Sequence, residues 1–341
     1  MDFSLPSAPA VGAVIPSRYE ATSMCYHENG KRLFVAYEAG SLLQAIDCMS
    51  GSAAKPALKC EDERIHCLEA THHEECVLIA GKGSPTVPSN QRSAITYWSL
   101  YDNKILRKFR GHTDQITKIS MNPADDTFLS SSKDRTVRLW SAQSAGSLAE
   151  LKLPGDRTSK DPLAAFDCTG LVFAVTAKMA ENQGQYLHLY DARNYGVGAF
   201  AELKIKRDDI EKALQSFVSV SPDQLATFSH ADFTSLQFNT SGNKILAGTD
   251  RGMSFVMDGF EGTIQGVFVS TSQRPAVSCF SSDDKTIMVG NEDGSITCWD
   301  VETGSMVKRL DGHPDPVQCI ASNPKFAQFA SASTQTALWT W

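Results

Sequence analysis

His112, Ser130, Asp134 and Trp140 carry the side chains from which a protein could build a proton relay. A hydroxyl beside an imidazole that leans on a carboxylate is the donor set of nucleophilic hydrolysis. A second group, His66, Cys67, His72, His73 and Cys76, offers the nitrogen and sulfur ligands that zinc selects when about four of them converge. Arg110, Lys133 and Arg135 could together hold a phosphate or an acidic peptide. Nucleotide chemistry finds no foothold: there is no Walker-type phosphate loop and no GxGxxG after a strand, and Gly81-Lys82-Gly83 only opens a loop. The paired carboxylates Asp125-Asp126 and Asp283-Asp284 fall in turns, which aspartate stabilises through its own backbone.

The elements that must position these groups are repeated. DTFLSSSKDRTVRLWS (126–141) is echoed by KTIMVGNEDGSITCWD (285–300) and AQFASASTQTALWT (327–340). Weaker copies surround Trp98, Tyr190 and Met257, and the most divergent, RLFVAYEAGSLLQAID, ends at Asp47. The equivalent positions Ile46, Trp98, Trp140, Tyr190, Met257, Trp299 and Trp339 are spaced by 52, 42, 50, 67, 42 and 40 residues. The short spacings match the period of about 40–45 residues of a four-stranded WD40 blade. Each copy is preceded by another strand and a turn of Gly, Asn, Asp or Pro, as in ISMNPADD and LQFNTSGN. Apolar residues alternate with period two, Val137 and Leu139 against Thr136 and Arg138, which excludes a helical solenoid. Seven such units predict an all-β fold, one seven-bladed WD40 β-propeller domain over residues 1–341. The last copy ends on its third strand at Trp339–Trp341. Val11–Ile15, inside an N-terminal arm of residues 1–17, is therefore expected to supply the missing outer strand and clasp the ends.

On this frame the candidate chemistry changes meaning. The repeat spreads Trp140, Ser130, His112 and Asp134 over neighbouring strands and loops, as a buried hydrogen-bonded chain whose value is rigidity rather than catalysis. Only the third blade carries the full set: His313 meets Ser333 where an aspartate would fall, and the blade of Asp293 lacks the histidine. Cys67 and Cys76 fall on adjacent strands and face the core, with His72 and His73 at an exposed turn, so no metal is expected. Alternating strand direction sends the b–c turns and the loops between blades to one end of the propeller, the top. Three insertions lengthen that end: Gly81–Arg92, Lys178–Gln185 and Lys206–Asp232. In the last, DDIEKALQSF predicts a short helix capped by Asp208 or Asp209, with Ile210, Ala213, Leu214 and Phe217 on one apolar face. That face either packs on the rim or lends Ile210, Leu214 and Phe217 to a partner. Between Asp102 and Arg138 eight Lys/Arg stand against five Asp in a chain of net charge -7. Arg110, Lys133 and Arg135 thus read either as a solvated face or as a phosphopeptide site at the top of the third blade.

The acidic balance argues against binding nucleic acid through a global positive field. Nine cysteines without a CxxC pair, several of them inside apolar strands, indicate a reducing compartment, cytosol or nucleus. The N-terminus lacks a basic leader, and no apolar run approaches the roughly 18 residues that span a bilayer. No cofactor is expected.

SLYDNKILRKFRGHTDQI followed by MNPADDTFLSSSKDRTVRLW closely resembles the WD repeat-containing protein 82 family, whose fungal member is the Swd-two component of COMPASS. The likeness continues through LYDARNYGVGAFAELK and SLQFNTSGNKIL to NPKFAQFASAS and ALWTW, from about Ser99 onward. SLYDN, PADDTF and NPKFAQFASAS are its specific parts, because the repeat does not require them. The resemblance implies a non-catalytic nuclear scaffold, monomeric within a hetero-complex. Its partners would be the COMPASS histone H3 lysine methyltransferase, the nuclear phosphatase-targeting subunit PNUTS with its phosphatase, and the phosphorylated tail of RNA polymerase II. Its settings would be chromatin, transcription termination and RNA 3′-end processing. The first blade and a half diverges, and the three insertions exceed the family norm. A competing expectation is a substrate receptor of a ubiquitin ligase; a catalytic propeller would need convergent acid, base or metal residues that the sequence does not offer.

Overall fold

The computed structural model describes residues 9–37, 41–60, 64–81, 93–152, 161–179, 183–218, 221–271 and 274–341. Seven antiparallel sheets follow one another along the chain as the blades of a β-propeller. After β1 (Ala10–Pro16), blade 1 consists of β2 (Ala21–Tyr26), β3 (Arg32–Tyr37), β4 (Leu42–Asp47) and an outer strand broken into β5 (Ser52–Ala53) and β6 (Leu58–Lys59). Blade 2 holds β7 (Ile65–Ala70), β8 (Cys76–Gly81), β9 (Ile95–Ser99) and β10 (Lys104–Phe109). Blade 3 holds β11 (Ile116–Met121), β12 (Thr127–Ser132), β13 (Thr136–Ser141) and β14 (Ser147–Lys152). Blade 4 holds β15 (Ala164–Phe166), β16 (Val172–Lys178), β17 (Gly184–Asp191) and β18 (Ala201–Lys206). Two helices follow, α1 (Arg207–Phe217) and α2 (Pro222–Phe228). Blade 5 holds β19 (Phe233–Phe238), β20 (Lys244–Thr249), β21 (Met253–Asp258) and β22 (Ile264–Val269). Blade 6 holds β23 (Ser278–Phe280), β24 (Thr286–Gly290), β25 (Ser295–Asp300) and β26 (Met306–Asp311). Blade 7 has only β27 (Cys319–Ser322), β28 (Gln328–Ala332) and β29 (Gln335–Thr340) of its own.

The fourth strand of blade 7 is β1. It runs antiparallel to β29, Ala10 opposite Thr340 and Pro16 opposite Gln335, with one register shift between Val11 and Ala13. Ala13 and Ile15 turn inward against the cluster of Ala330, Leu338 and Leu33, while Val11 and Val14 face outward. Pro16 is tolerated because β1 is an outermost strand whose free edge needs no donor.

Blades 3, 4 and 5 form one compact unit, and blades 6, 7, 1 and 2 another. In both, the core lies between consecutive blades rather than inside any one of them. Leu129, Val137 and Leu139 of blade 3 pack on Phe166, Phe173 and Tyr190 of blade 4. Cys279 and Met288 of blade 6 pack on Phe329 and Trp339 of blade 7. A middle strand is therefore covered on both faces, which is why β8 (CVLIAG) is apolar throughout and alternation survives mainly in third strands such as β13.

Candidate functional site

The site is assembled at the top of blade 3, where the loop after β10 meets the turn between β12 and β13. Ser130, in the middle of β12, places its Oγ between two rings. Trp140 Nε1 donates to it at 2.7 Å, and the hydroxyl donates in turn to His112 Nε2 at 2.7 Å. His112 Nδ1 then donates to Asp134 Oδ2 at 2.8 Å; an acceptor-only carboxylate on that nitrogen fixes the tautomer. Asp134 also accepts from the Thr113 N–H (2.9 Å) and from the N–H and hydroxyl of Thr136 (2.9 and 2.7 Å). Desolvation pushes its carboxyl up, but the hydrogen bonds from His112, Thr136 and Thr113 outweigh it and hold the group well below the usual carboxylate range.

His112, Ser130 and Trp140 are buried, and the Ser130 hydroxyl is already committed on both sides. No carbonyl could reach it, so the Ser/His/Asp arrangement cannot act as a nucleophilic triad. It works as a rivet. The His112–Asp134 bond ties the loop that carries Arg110 to the turn that carries Lys133 and Arg135, and all three side chains are exposed at that junction. Arg135 lies at φ +68°, a left-handed conformation that blades 5 and 6 fill with Gly252 and Gly294. An arginine there costs about 1 kcal/mol relative to glycine. The loop that carries Arg110 also carries Asp114, whose Oδ1 accepts from the N–H of its neighbour Gln115.

Gly111 has a steric reason. A Cβ on it would lie 2.8 Å from Arg138 Nη1 and 3.1 Å from the Trp140 ring, so only glycine lets the loop cross the indole. Gly312 stands in the same relation to Trp339, 2.5 Å from Cζ2. Blade 7 forms a counterpart network in which Ser333 stands where the third blade has its aspartate. Trp339 Nε1 donates to Ser331 Oγ (2.8 Å), Ser331 bonds His313 Nε2 (2.6 Å), and Ser333 Oγ takes the aspartate's place at 3.1 Å from Nδ1. A neutral hydroxyl satisfies the ring nitrogen but cannot hold a charged imidazole. Burial accordingly pushes His313 down to about 4, against the opposing pull of Asp315.

The insertion after β18 differs from the expectation at its cap and in a second helix, and its apolar face packs largely on the rim, one of the two readings left open by the sequence. The helix α1 begins at Arg207 with Lys206 as its N-cap and no side-chain cap, so Asp208 and Asp209 lie in the first turn rather than at the cap. There they favour the helix dipole instead of bonding its free N–H groups. Ile210, Ala213 and Leu214 are buried in the cluster that joins blades 4 and 5. Ile210 and Leu214 are thus unavailable to a partner, and of the three named residues only Phe217, 48% exposed at the end of the helix, remains on the surface. A second helix, α2, was not anticipated, although its start is plain: Ser221 and Gln224 form a capping box with Pro222 at the first position.

Of the other insertions, residues 82–92 and 180–182 lie outside the described residues. Lys178 is ion-paired with Asp232 at 2.8 Å. Cys67 and Cys76 are buried, His72 bonds Glu28 at 2.7 Å, and among the described residues no group of His, Cys, Asp and Glu is placed to hold a metal. Among the described residues, no helix is long and apolar enough to cross a membrane.

The WD domain, G-beta repeat family matches at residues 103–141, 264–300 and 304–339. WD repeat-containing protein 82 of Drosophila melanogaster is 34% identical over 249 residues, covering 72% of this chain and 69% of its own. COMPASS component SWD2 of Saccharomyces cerevisiae is 28% identical over 257 residues, 70% of this chain and 68% of its own. Set1 complex component swd2 of Schizosaccharomyces pombe is 27% identical over 244 residues, 72% and 58% respectively. With its repeats, its riveted third blade and this degree of identity, the chain belongs to the WD repeat-containing protein 82 family.

Proposed function

We propose that this chain is a non-catalytic scaffold subunit of a nuclear COMPASS-type histone H3 lysine methyltransferase complex. In the same reading it also serves a PNUTS–phosphatase assembly and links both to RNA polymerase II. The yeast relatives named for Set1 and COMPASS support the first part. The observation that carries the reading is the top of blade 3. A sealed hydrogen-bond network there rules the Ser/His/Asp set out of catalysis and spends it on holding Arg110, Lys133 and Arg135 at one exposed junction. Cationic forks on a rigid base suit the phosphoserines of the polymerase tail. Phe217 adds an apolar contact on the same side of blades 4 and 5.

Affinity purification of the tagged chain tests the assembly: methyltransferase, PNUTS or phosphatase subunits support it, whereas ubiquitin-ligase adaptors in their place overturn it. Binding of a doubly phosphorylated polymerase-tail peptide tests the site. Arg110→Glu with Arg135→Glu is expected to weaken it at least tenfold with no change in the thermal unfolding curve. Undiminished affinity removes the site from the blade 3 junction.

A further inference from the structure

Among the described residues, the opposite end of blades 4 and 5 carries the unit's largest group of exposed apolar side chains. The a–b and c–d turns emerge there, and turns at such ends are ordinarily polar. Here the β17–β18 connection leaves Val197 82% and Phe200 61% exposed, the β21–β22 turn leaves Phe260 73% exposed, and the β15–β16 turn leaves Leu171 45% exposed. The two phenylalanines alone present on the order of 250 Å² of ring, at about 200 Å² per side chain.

These residues belong to one surface. Gly262, two residues after Phe260, packs so closely on blade 4 that a Cβ there would lie 2.8 Å from Leu203 Cβ. Leu203 lies three residues beyond Phe200, in the strand that Phe200 leads into, so the two rings border one contact between the blades. Leu171 joins from below, since its carbonyl accepts from Ala192 N at the start of the loop that carries Val197 and Phe200. The Phe260 turn is held by Asp258, whose Oδ1 accepts from the N–H groups of Phe260 and Glu261 at 2.8 and 2.9 Å. An exposed ring is therefore presented on a fixed turn, and a preorganised aromatic anchor is what hot spots are made of.

The charges around the patch choose its occupant. Arg193 is consumed by a fork onto Asp191 (3.1 and 3.0 Å), and Lys204 pairs with Glu202 (3.3 Å). Asp167 and Glu261 form no ion pair among the described residues, so the rim keeps uncompensated negative charge. A second copy docking face to face would oppose these carboxylates to their own images, and an anionic lipid surface would be repelled by them. We propose that the lower turns of blades 4 and 5 form a docking surface for a basic, apolar-anchored peptide segment of a partner protein. Phe200, Phe260 and Val197 take its apolar side chains, and Asp167 and Glu261 take its Lys or Arg. This surface is separate from the blade 3 junction and stands whether or not that junction binds phosphopeptides.

A displayed library of random 12-residue peptides, selected on the full chain and counter-selected on the Phe200→Ser/Phe260→Ser variant, tests it. Enriched peptides are expected to carry two or more apolar anchors and net positive charge. They should bind the Asp167→Lys/Glu261→Lys variant, which keeps both phenylalanines, at least tenfold more weakly, and the Arg110→Glu/Arg135→Glu variant unchanged. Unaltered thermal unfolding curves show that the variants are folded. The proposal is overturned if wild type and the phenylalanine variant select the same peptides, or if the selected peptides are acidic. It is equally overturned if the phenylalanines instead support dimerisation in sedimentation or adhesion to phosphatidylserine vesicles.

Discussion

Ser130 Oγ has two partners at once, the indole of Trp140 and the imidazole of His112, both enclosed. Removing it strands a buried donor and a buried acceptor, each costing about 1–3 kcal/mol. Ser130→Ala is therefore expected to lose about 3 kcal/mol in urea unfolding, far more than a surface serine, and a loss near zero would mean the network holds nothing. The paired residues of blade 7 titrate differently. His313 has a folded pKa of about 4 against an ordinary 6.5, so below 6.5 the unfolded chain binds the extra proton first. Its contribution is intact above pH 6.5 and declines as the pH falls towards 4, by on the order of 3 kcal/mol. His313→Gln should flatten that part of the stability–pH curve. Asp134 has the depressed pKa of a paired carboxylate, so its contribution persists down to about the unfolded value of 3.8 and is lost only below it.

At the scale of elements, α1 is fixed by the side chains it hides. Leu214→Ala opens a cavity in the blade 4–5 cluster and is expected to cost about 2–4 kcal/mol, whereas Phe217→Ser should stay within about 0.5 kcal/mol of wild type. Chemical unfolding of the two variants separates a rim support from a free contact. The amphipathic spacing of Ile210, Leu214 and Phe217 was legible in the sequence, but not which of them the rim would cover. A helical stripe wider than its contact leaves one member outside, and only the packing of β22 and β18 decides which. The cap was misread for a related reason: two aspartates at a helix start serve as cap or first turn according to a shift of one or two residues, which tertiary packing sets. The repeat itself was fully readable wherever tryptophan, Gly-His and Asp punctuate it. Blade 7's departure was legible too, His313 meeting Ser333 in place of an aspartate, but not that the hydroxyl would close a network of its own. The exposed turns of Phe200 and Phe260 left no periodic signature, since turn residues are outside any strand or helix alternation.

For the whole molecule the decisive join is β1 with β29. A variant lacking residues 1–17 leaves the third strand of blade 7 as a bare edge and uncovers Ala330 and Leu338. It is expected to melt several degrees lower, at roughly 1–2 °C per kcal/mol for a chain of 341 residues, and to aggregate at a lower temperature. Adding back a synthetic peptide of residues 9–17 should recover part of the loss; a truncated chain with an unaltered melting curve would show that the strand is ornamental. The same pairing sets a timetable for biogenesis. Ala10 leaves the ribosome 330 residues ahead of its partner Thr340, a wait of roughly 20–60 s at translation rates of 5–20 residues per second. Throughout that interval the first strand is an apolar ribbon with nothing to pair with, and the ring can be shut only after the last blade emerges. Closing the ring is therefore the last of the blade-pairing steps, and until it happens the first strand depends on being shielded.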